Sequence, residues 1–343
     1  MTAALRVVDT GLNPACWNVA LTAAMVELHR TRRAPDTLRF HRYPRCVLVG
    51  RHQALEAAAD LPLCRARGIA TARRITGGGA VYMSPDVLAW DVVADLRSVG
   101  GDLDAAAQHL GEAVAGGLAS LGIGAAYRAP NDVEVEGRKI GGACGLIDGT
   151  SLVYQGAVLV DADLAEMAAA LALPASVDGR LTTATKVLGR AVSHDEVIAA
   201  LTAAIAQRLD RRPEPASIDA GERALAATLL AQGSDDADAP RRGPPAVSAR
   251  CDPGGIAAHV RIHPGVERRI DQIWLTGAFS LMPERALPDL EAALRGLPLA
   301  RAASRALAFL DSGQIAVRGA SRRDIAAAID AAAAGAMAQE TPP

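Results

Sequence analysis

Two short stretches of this chain carry residue types that can do chemistry. The first is Arg73-Arg74-Ile75-Thr76-Gly77-Gly78-Gly79-Ala80-Val81-Tyr82. Three consecutive glycines have no Cβ, so their backbone N–H groups can turn toward a closely approaching ligand. Two guanidiniums beside such a turn suit a carboxylate or phosphate, which a planar fork binds through two parallel hydrogen bonds. A glycine triplet by itself equally describes a bulged hairpin turn. The second stretch is Asn131-Asp132-Val133-Glu134-Val135-Glu136-Gly137-Arg138-Lys139-Ile140-Gly141-Gly142-Ala143-Cys144. Val133 and Val135 alternate with Asp132, Glu134 and Glu136, the period-two pattern of a half-buried strand. A tight turn is expected at Gly137-Arg138, which starts a return strand near Lys139 and lets its ammonium reach a site floored by glycine backbone. Taken alone, this hairpin also reads as a solvated surface feature.

Several elements must hold these residues. Asn13 as N-cap and Pro14 at the first helical position predict a helix over 14–30. Strands are expected at 37–42, 46–50, 70–74, 80–83 and 87–95. An alanine-rich helix at 104–121 follows, then strands near 124–128, 131–136, 138–147 and 151–160. Asp163 and Ser193 cap helices at 163–171 and 194–210. Many short strands separated by glycine turns predict an α/β (α+β) fold with a mixed sheet of hairpins, not a doubly wound parallel sheet. Residues 211–246, rich in proline, glycine and charge, read as a tether interrupted by a helix at 219–232. Beyond it, strands at 254–262 and 270–279 with a turn near Pro264-Gly265, and helices at 284–295 and 321–335, make a small α+β unit. The division expected is 1–213, a linker at 214–246, and 247–340.

Composition narrows the function classes. The chain has 343 residues, long for a single core, and its net charge of −2 favours neither nucleic acid nor an anionic membrane. Aromatic residues at 3% supply few stacking platforms for single strands. The opening Met1-Thr2-Ala3-Ala4-Leu5-Arg6 does not read as a secretory signal, and no run of apolar residues is long enough for a bilayer. Cys16, Cys46, Cys64, Cys144 and Cys251 are scattered and odd in number. They read as reduced thiols of a cytoplasmic protein.

The order Arg-Arg-x-x-Gly-Gly-Gly-x-Val, then Asn-Asp, a strand and Gly-Arg-Lys-Ile-x-Gly, resembles the lipoate–protein ligase A family. The likeness extends over roughly residues 5 to 210. Asn13-Pro14-Ala15-Cys16-Trp17-Asn18 looks like that family's first helix. Leu38-Arg39-Phe40-His41 and Val47-Leu48-Val49-Gly50-Arg51-His52-Gln53 look like its first strand pair, and Val158-Leu159-Val160-Asp161-Ala162-Asp163-Leu164 like the strand and helix start that close its pocket. The resemblance implies the class II synthetase-like catalytic fold shared with biotin–protein ligases and octanoyl transferases. It also makes the second unit similar to an accessory domain, with Gly277-Ala278-Phe279 as its Gly-x-Phe element.

The activity so implied uses ATP and Mg²⁺ to convert lipoate, or octanoate, to an acyl-adenylate. The acyl group then passes to a lysine of a lipoyl carrier: a lipoyl domain, an H-protein-like protein or a lipoate-binding protein. Lys139 matches the family's catalytic lysine, placed to stabilise charge on the α-phosphate and acyl carbonyl. Arg73, Gly77, Gly78, Gly79, Ala80, Val81, Tyr82, Asn131, Asp132, Gly142, Ala143, Gly156 and Ala157 would bind the acyl or adenylate group. Asp132 would be a candidate Mg²⁺ ligand, and Val81, Ile140 and Val158 candidate apolar walls. Two departures stand out. Met83-Ser84 occupy the place of a His-Asp, and Tyr154-Gln155-Gly156 that of a His-His-Gly. Octanoyl transfer from an acylated carrier without ATP, a non-catalytic carrier-binding relative and a biotin ligase are the alternatives. Cys144 reads better as a small buried residue than as an acyl-thioester nucleophile. Cys251, His259 and His263 have only loosely metal-like spacing.

Overall fold

A computed structural model describes residues 3–171, 179–233, 247–251, 255–262, 268–283, 285–312 and 315–338. Two compact units emerge. The first contains Met1–Val49, Ala58–Ile75 and Val81–Ala237; the second contains Asp238–Pro343 together with Gly50–Ala57 and Thr76–Ala80. The glycine triplet therefore belongs to the second unit, although the strands on either side of it belong to the first.

Strand β1 (Ala4–Leu12) is not announced by the sequence, because only its Leu5 and Val8 are buried and no alternation appears. Helix α1 (Ala15–Arg30) follows. Its N-cap is Pro14, without a side-chain cap bond, and not Asn13 as expected. Asn13 instead donates its Nδ2 to the Thr10 carbonyl at 2.7 Å. Next come β2 (Thr37–Arg42), β3 (Cys46–Val49), the short helices α2 (Leu55–Ala58) and α3 (Leu61–Ala66), β4 (Ala70–Arg73), β5 (Val81–Met83) and β6 (Val87–Asp95). All but the last residue of β6 are buried, which is how a central strand covered on both faces reads.

Helix α4 (Leu103–Ser120) starts where the Asp102 carboxylate accepts from the Ala105 amide. Strands β7 (Ala126–Arg128), β8 (Asp132–Val135), β9 (Arg138–Asp148) and β10 (Ser151–Leu159) form antiparallel hairpins. Helix α5 (Leu164–Ala170) is capped by Asp163, as expected. Helix α6 (Ala184–Leu188) precedes α7 (His194–Arg208), whose Ser193 and Glu196 form a capping box.

Residues beyond 211 do not begin a tether. Strand β11 (Arg212–Pro215) pairs in parallel with β1, and helix α8 (Ala220–Gly233) packs on α1. Proline tolerates this edge position because only one side of the strand must be paired. The expected linker residues 234–246 lie outside the described residues.

The main sheet has eight strands in the order β11-β1-β2-β6-β10-β9-β8-β7, parallel around β1 and antiparallel elsewhere. A small sheet, β4-β3-β5, stands apart from it. Leu21, Ala24, Met25 and Val26 of α1 and Ala226 of α8 pack against Val93, Leu146 and Val153 on one face of the main sheet. On the other face, the Cβ position of Gly111 in α4 would meet the Tyr127 ring and that of Gly145 would meet Leu103.

The rest of the second unit has β12 (Val247–Cys251), β13 (Ile256–Ile262) and β14 (Ile270–Thr276) in one sheet. Strands β15 (Ser280–Met282) and β16 (Ala316–Arg318) form another, with helices α9 (Ala286–Leu294), α10 (Ala302–Ser312) and α11 (Arg322–Ala338). Its core gathers Ile256, Leu275, Phe279, Leu290, Leu310 and Ile329. The expected turn at Pro264-Gly265 lies outside the described residues. No described helix is long and apolar enough to cross a membrane.

Candidate active site

The β8–β9 hairpin turns at Glu136-Gly137, one residue earlier than expected. Both residues have positive φ, 52° and 75°, the two-residue turn whose twist suits a hairpin. Lys139 pairs with Glu134, after which the register shifts, so that Gly141 faces Val133 and Gly142 faces Asp132. This bulge re-aims the Lys139 side chain along the strand. Its Nζ lies 2.7 Å from Asp132 Oδ1. The same oxygen accepts from Asn131 Nδ2 at 3.0 Å, and the Asn131 carbonyl accepts from the Ala143 amide at 2.9 Å. The Lys139 backbone is held on both sides, donating to Arg180 O at 2.8 Å and accepting from Thr182 N at 2.9 Å. Its side chain keeps 38% of its exposure. An ammonium fixed this way, yet still open to solvent on one side, can meet an anionic group.

Gly142 makes room for it. A Cβ there would lie 2.7 Å from Lys139 Cε and 2.8 Å from its Nζ. Gly142 starts a row of small residues on one sheet face, because directly paired residues share a face. Asp132 pairs with Gly142, Gly142 with Ala157, Ala157 with Ala89, and Ala89 with His41. The row thus crosses five strands with at most a methyl group on its three middle positions. Ala143 and Gly156 take the alternate positions, where the Trp90 ring fills the space a Gly156 side chain would need. Val158 is on that opposite face too and is fully buried, as is Ile140, so neither is an open wall of the row. Val81 is 39% exposed in the small sheet.

The next row on the Lys139 face is polar: Cys144, Gln155, Asp91 and Arg39 are successive partners. Arg39 and Asp91 are buried, with Nη1 of Arg39 3.4 Å from Asp91 Oδ2. Thr22 donates to the same oxygen at 2.9 Å. Burial lowers the Arg39 pKa, with Asp91 opposing, and burial raises that of Asp91. Burial, then the Arg39 charge, pushes His41 well below its usual range. Sequence reasoning did not single out this cluster. The signal present was one Asp inside the apolar run Val87-Leu88-Ala89-Trp90-Asp91-Val92-Val93.

In the first unit, Arg73 ends β4 and Arg74 is buried with its guanidinium donating to the Leu48 carbonyl at 3.1 Å. Tyr82, in β5, is buried and donates to Glu166, itself 3.1 Å from Arg45. Burial first, and Glu166 second, raise its phenol pKa.

In the second unit the glycine loop rests on the Gly277–Ser280 segment. A Cβ on Gly77 would sit 2.6 Å from Ser280 Cβ and 3.0 Å from the Phe279 carbonyl oxygen, and one on Gly79 3.9 Å from Ala278 Cβ. The Arg51 amide donates to Thr76 O at 2.9 Å, the Gly277 amide donates to His52 O at 2.9 Å, and the His52 ring stacks on Phe279 at 5.7 Å. Gly78 has φ of 92°, a left-handed conformation that glycine adopts freely. Gly79 is exposed and Ala80 half-buried.

Among the described residues no group of three or more His, Cys, Asp or Glu is arranged for a metal ion. His259 donates to or accepts from Thr276 at 2.9 Å and stacks on Trp274, and His263 lies outside the described residues. A lone carboxylate, Asp132, fits only a Mg²⁺ whose other ligands come from nucleotide phosphates and water.

Against known proteins, the family model of the lipoyl protein ligase A/B catalytic domain matches residues 14–206. The octanoyltransferase LipM of Symbiobacterium thermophilum is 27% identical over 257 residues, covering 66% of this chain and 93% of that protein. A solved bipartite lipoate protein ligase of Thermoplasma acidophilum, studied with its E2 lipoyl domain, is 29% identical with a TM-score of 0.60, covering 68% of this chain and 94% of that one. A lipoate-protein ligase A bound with ATP is 28% identical with a TM-score of 0.61, over 68% and 96%.

Proposed function

The chain belongs to the lipoyl protein ligase A/B catalytic-domain family, and from that premise we propose that it is an ATP-dependent lipoate–protein ligase. The observation that carries this reading is the Lys139 ammonium, 2.7 Å from Asp132 at the head of a row of small residues. Lipoate, or octanoate, lies along that row with its carboxylate at Lys139. A carboxylate oxygen attacks the α-phosphorus of ATP and pyrophosphate leaves. The amine of a carrier lysine then attacks the acyl carbon and AMP leaves. Lys139 stabilises the negative charge that grows on the phosphoryl and carbonyl oxygens in turn. Asp132 holds the ammonium in place between the two steps. Mg²⁺, when bound, neutralises phosphate charge, and Asp132 with Asn131 is the pair on this chain that would orient it. Arg73 and the Gly77–Gly79 loop are assigned to the acyl or phosphate end by the motif they match. The carrier is a lipoyl domain or a related small protein, in keeping with the lipoyl domain studied with the Thermoplasma ligase.

A second reading is octanoyl transfer from an acylated carrier without ATP. It is favoured by the octanoyltransferase relative and by Cys144, which lies on the Lys139 face two residues beyond Gly142. One assay separates the two. The protein is incubated with ATP, Mg²⁺, lipoate and a lipoyl domain, following AMP release and mass gain on the domain. AMP release with lipoylation is expected. Acyl transfer from an octanoylated carrier alone, without nucleotide, would move the assignment to the second reading, and neither reaction would overturn both.

A further inference from the structure

The 343 residues include 34 arginines and two lysines, Lys139 and Lys186. An arginine keeps its proton in a protein and has no lone pair with which to attack an acyl carbon. Lys139 donates from Nζ to Asp132 Oδ1 at 2.7 Å, and an ammonium held this way has no lone pair either. Lys186 differs. It is exposed, and among the described residues no hydrogen bond or ion pair holds its side chain. It also stands on the segment that braces Lys139. Leu181 bridges to Lys139 in parallel, with the Lys139 amide donating to Arg180 O and the Thr182 amide to Lys139 O. Thr183 then caps α6, its hydroxyl accepting from the Lys186 amide at 3.2 Å. The Thr185 amide donates to Val160 O at 3.0 Å, which pins the helix just beyond β10. A bridged partner lies about 4.8 Å away. Two extended and three helical steps then carry the chain under about 12 Å from Leu181 to Lys186.

We propose that Lys186 is a modification site, acylated by the protein's own acyl-adenylate when no carrier amine is at hand. This rests on the ligase reading. The Lys186 amine attacks the acyl carbon and the bond from that carbon to the AMP oxygen breaks. An amide forms, AMP leaves with the electron pair, and the amine proton passes to water. A lysine tethered through so short a segment meets the adenylate at an effective concentration on the order of millimolar, above that of lysines on a dilute bystander protein. With arginine at every other basic position of the two commonest cations, the acyl group has one side-chain amine on this chain to go to.

For the test, the full chain is incubated with ATP, Mg²⁺ and lipoate, without carrier, beside a micromolar lysine-rich bystander such as serum albumin. AMP release is followed while both proteins are mapped by mass spectrometry. One lipoyl group on Lys186 is expected, at least about tenfold above the label on an average bystander lysine. Lys186→Arg should lose that label, while AMP release and lipoylation of an added lipoyl domain stay as before. Three results would each overturn the proposal and leave the ligase reading standing: equal label on the bystander, label unmoved by Lys186→Arg, or a hydroxylamine-labile thioester in place of an amide. Lipoylation of the added domain by a chain that itself stays unlabelled would do the same. No AMP release and no acylated protein of any kind would instead sink the ligase reading, and the assignment of Lys186 with it.

Discussion

Two glycines, one in each unit, occupy crowded positions for different reasons. At Gly142 the neighbours of an added Cβ are side-chain ends: Lys139 Cε and Nζ, and Asp132 Oδ1 at 3.2 Å. At Gly77 they are the Ser280 Cβ and the Phe279 backbone oxygen. A lysine tip can swing away at small cost, but backbone cannot. Gly142 thus protects where an ammonium points, while Gly77 protects how a loop lies on the segment beneath it. The same residue type, in two motifs of one family, guards chemistry in one place and shape in the other.

The sharpest way to probe the first region is Lys139→Ala. A drop of at least about 10²-fold in adenylate formation is expected, since one preorganised charge stabiliser contributes that much. Unchanged thermal unfolding should accompany it, and near-normal turnover would remove Lys139 from the mechanism. Gly77→Ala should cost about 1–3 kcal/mol of stability through overpacking, read as a lower Tm. Adding Ser280→Gly should restore part of it, because the Cβ at 2.6 Å goes while the carbonyl at 3.0 Å stays. Gly142→Ala should leave stability within about 0.5 kcal/mol yet lower kcat about tenfold by shifting the ammonium. If Gly142→Ala and Gly77→Ala lose equal stability, the contrast between the two regions fails.

The smallest effect concerns pH and the first unit alone. Folding lowers the His41 pKa, so below about pH 6.5 the unfolded chain binds a proton that the folded one refuses. Stability from keeping this ring neutral is present above that pH and lost as pH falls. The unmodified protein should therefore lose about 1 kcal/mol per pH unit relative to His41→Gln between pH 6.5 and 5, followed by denaturant unfolding. Asp91, raised by burial, is present in both proteins.

Much of this was legible in the sequence where local chemistry decides. Asp163 and Ser193 cap the helices they were expected to cap, and the alternation around Val133 and Val135 yields the Lys139 hairpin. What escaped depends on distant partners. Strand β11 is Arg-Pro-Glu-Pro, unreadable as a strand until β1 lies beside it. Arg39 and His41 alternate with Leu38 and Phe40, which suggests a solvated face, yet all four are buried, and α1 brings Asn18 and Thr22 onto Arg39. The seat of Gly77 on Phe279 and Ser280 joins residues two hundred positions apart, and no window along the chain reveals it.

The return of β11 and α8 to the amino-terminal edge has a practical corollary. Arg6 donates to the fully buried Glu222 of α8, while Arg6 itself lies on β1. Any protein shortened after Leu209 would bare the rim of its largest sheet and a greasy side of its first helix at once, with a cation stranded between them. Such a fragment invites self-association through its uncovered strand, so pieces meant for solution work should extend through Gly233.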